Sequence, residues 1–244
     1  MSLTLVSAAE RPELVSAAET LSAAIWPAWL RTAASLAYWN DLYRPALARF
    51  QTFALDDGAI VGIANSIPLP AGDTLPDTGW DWALETGALA ARNGGRSDTL
   101  SAIAVTVAPG HRGTGLANRL LQTMKPPALA AGIATMIAPV RPTLKSRYPL
   151  TDFATYCGWR RPDGLFFDPW LRTHAAAGAT VIGPAPASMT VTASVARWQD
   201  WTGLIFPASG AYAIPGGLAP LEVDLDRDTA TYREPNLWMR HPLG

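Results

Sequence analysis

Cysteine is almost absent from this chain of 244 residues, and the lone Cys157 permits no internal disulfide and no cysteine metal cluster. Between Tyr156 and Trp159 it reads as a packed structural thiol more readily than as a nucleophile. Charge is sparse as well. Asp, Glu, Lys and Arg supply 16% of the residues and nearly cancel, at a net of -1, so there is no basic field for nucleic acid and a small-molecule partner is favoured. Hydrophobic residues reach 49%, yet no uninterrupted apolar stretch approaches the roughly 20 residues that cross a bilayer. The N-terminus lacks the basic, apolar, small-residue order of a signal peptide. These absences together predict a cytoplasmic protein that neither enters membranes nor binds nucleic acid or a metal.

Tryptophan, by contrast, occurs ten times, enough to fill a core or to wall a pocket. The stretch with the most definite chemistry is Thr99 to Ala117, TLSAIAVTVAPGHRGTGLA. An apolar run rich in Val, Ile and Ala ends at Pro109, passes through a turn, and opens a helix with Arg112-Gly113-Thr114-Gly115-Leu116-Ala117. Glycines at 113 and 115 let the backbone approach a ligand, Thr114 can add a hydroxyl, and the first amides of a helix lack intrahelical partners. Lying at the positive end of the helix dipole, those amides suit a phosphate or pyrophosphate. A Walker loop would need Lys and Ser or Thr where Leu116 and Ala117 stand. A dinucleotide fingerprint would need a small residue where Asn118 falls.

The turn resembles motif A of the GNAT family of acyl-CoA-dependent acyltransferases, Gln/Arg-x-x-Gly-x-Gly/Ala, with Arg112, Gly115 and Ala117 in register. It lies behind a strand ending Val-x-Val-x-Pro, as that family's fourth strand often does. The resemblance implies an α/β (α+β) fold. Its sheet would be mixed, mostly antiparallel and twisted, flanked by helices, with a splayed parallel pair of strands four and five. It also implies acetyl-CoA or another acyl-CoA as co-substrate, with Val105 and Val107 offering main-chain contacts and Arg112 to Ala117 holding the phosphates. The acceptor would be a primary amine on a small molecule or peptide, and the protein a monomer or homodimer. A non-catalytic acyl-CoA-binding module, or an enzyme placing another phosphate ligand at the same turn, is the alternative.

The order of elements fits that reading. Leu3 to Val6 is a short strand, Glu10 to Leu30 and Thr32 to Phe50 read as amphipathic helices interrupted near Pro27 and Pro45, and strands flank the Asp57-Gly58 turn. Residues 68–98 form an insertion whose helix, Trp82 to Arg92, takes Asp81 as its cap. This segment is either a lid over the acceptor pocket, carried by Trp80, Trp82 and Glu85 with Trp82 and Glu85 as substrate contacts, or a solvated elaboration. Pro126-Pro127 is expected to stop or bend the helix after the turn, ahead of a second buried strand, Ile133 to Val140. Arg141, just beyond that strand, is the best placed of three cations for a CoA phosphate or an acidic acceptor group. Past residue 165 the chain is richer in strand signals, with a brief Gly-Pro-Ala loop at 183–187, a hairpin over Asp226-Arg227-Asp228, and a polar and aromatic tail, Glu234 to His241, read as tail packing or a return to the active site. One GNAT-like domain over residues 1–244, elaborated over about 165–244, is the reading preferred to a core ending near 165 with a separate appendage.

The family's glutamate base on strand four has no counterpart in TLSAIAVTV, which leaves Glu85, Glu222 or Glu234 acting through water, or positioning alone. The family's catalytic tyrosine four residues before a glycine is replaced by His174, before Gly178; Tyr156, two before Gly158, and Tyr148 are rival acids.

Overall fold

A computed structural model describes residues 3–243. Its strands are β1 (Leu3–Ser7), β2 (Gln51–Asp56), β3 (Ala59–Leu69), β4 (Thr99–Val107), β5 (Thr135–Val140), β6 (Thr180–Ala193), β7 (Gly210–Tyr212), β8 (Leu221–Asp224) and β9 (Thr229–Pro242). Strands β1 to β4 form an antiparallel meander, β4 and β5 pair in parallel, and β9 runs antiparallel to β5. The Asp57-Gly58 hairpin is as expected, with both residues at positive φ, +48 and +83 degrees.

Strand β9 organises the C-terminal half. Its far edge pairs with β6 from Ala230 to Arg240. On the other edge Leu237–Pro242 pair with β5 and Thr229–Tyr232 with β8. The tail, read from sequence as terminal packing or a return to the active site, is thus a central strand. Its residues Tyr232, Leu237, Trp238 and Met239 are buried, and that apolar density suits a strand covered on both faces. Residues 183–187 likewise belong to β6, which absorbs its glycine and prolines at two register shifts instead of forming a loop.

The helices follow from capping and periodicity. In α1 (Val15–Ile25), preceded by a 3-10 turn at Pro12–Leu14, the helix ends where Trp26 turns extended before Pro27. The expected second helix is instead a 3-10 segment, Ala34–Tyr43, and a further turn, Ala48–Phe50, because Arg44 is extended ahead of Pro45. Helix α2 (Gly79–Arg92) begins earlier than expected. Asp81 lies inside its first turn and accepts hydrogen bonds from Ser35 Oγ at 2.5 Å and Thr190 N at 3.1 Å rather than capping. Its buried Trp80, Ala83, Leu84, Gly87 and Ala88 form one helical face. Helix α3 (Leu116–Thr123) buries Leu116, Leu120 and Leu121; the two prolines then sit in the first turn of α4 (Lys125–Ala130), where their missing N–H groups cost nothing.

Beyond β5, Asp152 caps α5 (Phe153–Gly158) and Asp168 caps α6 (Pro169–Ala176), with Ser194 capping α7 (Val195–Thr202). Asp168 does more than cap. Its Oδ1 accepts from Trp170 N and Leu171 N, and its Oδ2 from Leu144 N and the Tyr156 hydroxyl, each at 2.8 Å.

Candidate active site

The parallel pairing of β4 with β5 lasts only from Thr99–Ser101 against Thr135–Ile137. Beyond it the strands part, because β4 carries a bulge at Ile103, between Ala102 opposite Ser66 and Ala104 opposite Asn65. The indole of Trp80 donates to the Ile103 carbonyl at 2.8 Å, holding that bulge from α2. The edge of β4 from Ala102 to Val107 that faced β5 is left unpaired, and it opens into a cleft of about 690 Å³.

The cleft is walled by β4, the ends of α1 and β5, the Ala34–Tyr43 segment, α6 and β9, with Trp26, Trp39, Trp80 and Trp170 among its sides. Trp26 donates to Thr106 Oγ1 at 3.0 Å, and Trp39 stacks on Trp80 with centroids 6.2 Å apart. Four of the ten tryptophans therefore serve the cleft, a use that composition alone could not separate from core filling.

Val105, Val107, Arg112 and Ala117 line one end of the cleft. Next to them Gly113 and Gly115 have φ of +78 and +83 degrees, and a Cβ on either would meet nothing within 4 Å, so the turn is open on its outer side. No side chain caps the first amides of α3. An unpaired strand edge for an extended amide-bearing chain, followed by open helix N–H groups for phosphates, fits acyl-CoA. The Thr114 hydroxyl is not available as first read, since it donates to the His111 carbonyl at 2.7 Å and closes the turn; the Leu116 side chain is buried. The turn is also tied to the β2 hairpin by a 3.0 Å contact between His111 Nε2 and Asp56.

The polar groups of the cleft come from α6, β5 and β9. His174 is 2% exposed; its Nδ1 lies 2.8 Å from His241 Nε2, and its own Nε2 has no hydrogen-bond partner. Burial, and then the neighbouring His241, pull its pKa down to about 3, so the ring is neutral near pH 7. Arg141 pairs with the fully buried Glu234 and donates to the Gly216 carbonyl at 2.7 Å; Tyr232 donates to Glu234 at 2.6 Å. Asn236 is held by Ser188, whose hydroxyl donates to it at 2.6 Å and itself accepts from Trp80 N.

A model of the Acetyltransferase (GNAT) family matches residues 15–159. An arginine N-acetyltransferase, avaD, of Aspergillus versicolor is 35% identical over a 275-residue alignment that covers 98% of this chain and 93% of that protein. The chain belongs to the GNAT acetyltransferase family. Its fold is shared with the loading GNATL domain of CurA from Lyngbya majuscula, at a TM-score of 0.67 and 17% identity over 100% of this chain and 98% of that one. It is also shared with the GNAT-like decarboxylase GphF in complex with isobutyryl-CoA, at 0.58 and 18% over the whole of both chains. This acetyltransferase uses acetyl-CoA or another acyl-CoA as acyl donor. Among the described residues no group of three or more His, Cys, Asp or Glu side chains could hold a metal ion, and no helix is long and apolar enough to cross a membrane.

Three residues expected at the acetyltransferase's site lie outside the cleft. Tyr156 is 1% exposed in a cluster with Tyr148, Trp159 and Phe167, and burial with its bond to Asp168 raises its pKa, so it is a packing residue and not an accessible acid. Trp82 packs edge-on against Trp238, and Glu85 accepts from the Tyr38 hydroxyl. Of the insertion's three expected residues Trp80 lines the cleft, as a wall fixed by its indole's bond to the Ile103 carbonyl. Cys157 beside Tyr156 is a buried thiol pushed up to about 12, which excludes the nucleophile reading at neutral pH.

Proposed function

We propose that this acetyltransferase transfers an acetyl group to the α-amine of arginine or of a small molecule with an arginine-like side chain, with His174 as general base. The observation that carries the acceptor class is the near full-length likeness to an arginine N-acetyltransferase. The α-amine is favoured over the side chain on acidity. A guanidinium has a pKa of about 12.5 or more and stays charged, whereas an α-amino group titrates at about 8 and is partly neutral, hence nucleophilic, near pH 7 without a strong base. The aromatic walls of the cleft suit a guanidinium face, and Arg141 suits a carboxylate.

In this reading the β4 edge at Val105 and Val107 holds the extended arm of the donor, and Arg112 with the amides of residues 113–117 holds its phosphates. A β4 N–H stabilises the charge that develops on the acyl oxygen. The donor supplies an activated acyl carbon and a thiolate leaving group, which at an ordinary thiol pKa of about 8.5 needs no strong acid to depart. The amine attacks as its neutral fraction, and His174, which lines the cleft, receives the proton released as the C–N bond forms. The same reading treats residues 68–98 and 165–244 as elaborations of one domain in the cytoplasm.

The test is to incubate the purified protein with acetyl-CoA and arginine, agmatine, citrulline or lysine, follow free thiol, and locate the acetyl group by fragmentation mass spectrometry. Release with arginine and acetylation at the α-amine are expected. Acetyl found on the guanidino nitrogens, or no thiol release with arginine, would overturn the assignment; agmatine, which keeps the primary amine but lacks the carboxylate, should turn over less well.

A further inference from the structure

Trp80 takes a carbonyl that would otherwise face the reacting acyl group. The Ala108 amide donates to the Val61 carbonyl at 2.9 Å, and Val107 and Ala104 lie opposite Gly62 and Asn65. Antiparallel alternation then turns the N–H and carbonyl of Ala104, Thr106 and Ala108 toward β3, and those of Val105 and Val107 toward the cleft. The peptide between Ile103 and Ala104 is trans, so with its N–H on the β3 side its carbonyl points into the cleft, where the Trp80 indole meets it at 2.8 Å. The Val105 N–H is the first beyond the bulge to face the cleft, and the Ile103 carbonyl is its neighbour on the same edge. An acyl oxygen drawn to that N–H would also approach the negative end of the carbonyl, and a bulge peptide free to turn would carry the N–H out of line.

Trp80 is itself locked in place. Its amide donates to Ser188 Oγ on β6 at 2.7 Å, and that hydroxyl donates to Asn236 Oδ1 on β9 at 2.6 Å. Its ring stacks on Trp39 with the planes 20 degrees apart. Gly79 lets the helix come this close to β6: its φ is +23 degrees, and a Cβ there would stand 2.3 Å from Ser188 Oγ. Trp80, Ser188 and Asn236 are all buried. So fixed a donor holds the Ile103 peptide plane without reorganising when charge develops beside it.

We infer that Trp80 is a positioning residue for acyl transfer: it occupies the Ile103 carbonyl and holds the bulge so that the acyl oxygen meets the Val105 N–H. This rests on the reading that a β4 N–H stabilises that oxygen, and the experiment separates the two. Acetyl-CoA labelled with 13C at the acetyl carbonyl is bound without acceptor, and its thioester stretch is read by isotope-edited infrared difference spectroscopy. Trp80→Phe keeps an aromatic ring beside Trp39 and removes the donor. A thio-analogue of tryptophan at position 80, with sulfur in place of the N–H, keeps the shape as well. In both, the stretch is expected at higher frequency than in wild type and acetyl-CoA affinity unchanged. Turnover should fall in kcat by about tenfold or more, short of the roughly 10²–10³ that removing an oxyanion donor outright costs. A wild-type stretch at the frequency of a thioester in aprotic solvent would overturn the reading of the β4 N–H, and the role of Trp80 with it. A polarised wild-type stretch that neither variant moves, or a loss confined to acetyl-CoA affinity, would overturn only the role of Trp80.

Discussion

Arg141 and Glu234, 93 positions apart in the chain, form an ion pair where the inner edge of β9 passes from β8 to β5 and has no strand beside it. Glu234 is fully buried and Arg141 a fifth exposed at its side chain, so the pair bridges the core and the cleft. Removing the cation leaves a buried carboxylate with only Tyr232 and no counter-charge. Arg141→Met should destabilise the protein by about 3 kcal/mol, read as a lower urea midpoint, because stranding a buried charge costs more than the pair contributes. A midpoint within error of wild type would show that Glu234 has access to water.

Tyr156 offers a test of which aromatic residue matters to chemistry. Its hydroxyl is spent on Asp168 Oδ2, which still keeps Leu144 N when the hydroxyl is removed. Tyr156→Phe should cost about 1 kcal/mol of stability and leave kcat within twofold of wild type. A loss of kcat beyond about tenfold without unfolding would restore the tyrosine as an acid.

At the turn, Gly115→Val places a β-branched residue at a φ of +83 degrees, where a side chain strains the backbone by roughly 1–2 kcal/mol. The space around it is otherwise open, so the protein should fold. Binding of CoA, measured by calorimetry, should be lost as the phosphate is kept from the amides of α3. Unchanged affinity would move the phosphates elsewhere.

The buried histidines also set an acid limit on stability. Both have folded-state pKa values below the ordinary 6.5, about 3 for His174 and about 4 for His241, so the unfolded chain binds more protons between those values and 6.5. Stability is therefore complete above pH 6.5 and declines on acidification. At pH 5 the loss is on the order of 2 kcal/mol per histidine, and thermal scans from pH 7 to 5 should show a falling Tm that flattens in His241→Phe. A level wild-type profile would mean the rings are not buried neutral.

The sequence was most legible where function depends on the main chain. Gly113 and Gly115 at positive φ, Asp57-Gly58 in the hairpin, and the Val-x-Val-x-Pro strand end all constrain local backbone, so residue type alone announces them. Whether Trp80 belonged to a lid or to a solvated elaboration stayed open in the sequence, because its partner, the Ile103 carbonyl at a bulge, is defined only once β4 pairs with β3. Glu234 was one of three glutamates that spacing could not rank. It stands out only when Arg141 and Tyr232 close around it.

The amino-acid sequence by itself determined the glycine turn at 113–115, the order of strands and helices around it, and the place of His174 ahead of Gly178, because each follows from local geometry or periodicity. The tertiary structure alone decided that the C-terminal stretch is a central strand, that Tyr156 belongs to the packing, and that His174 meets His241. Those facts depend on contacts between residues far apart in the chain, whose burial, pairing and pKa no local pattern encodes.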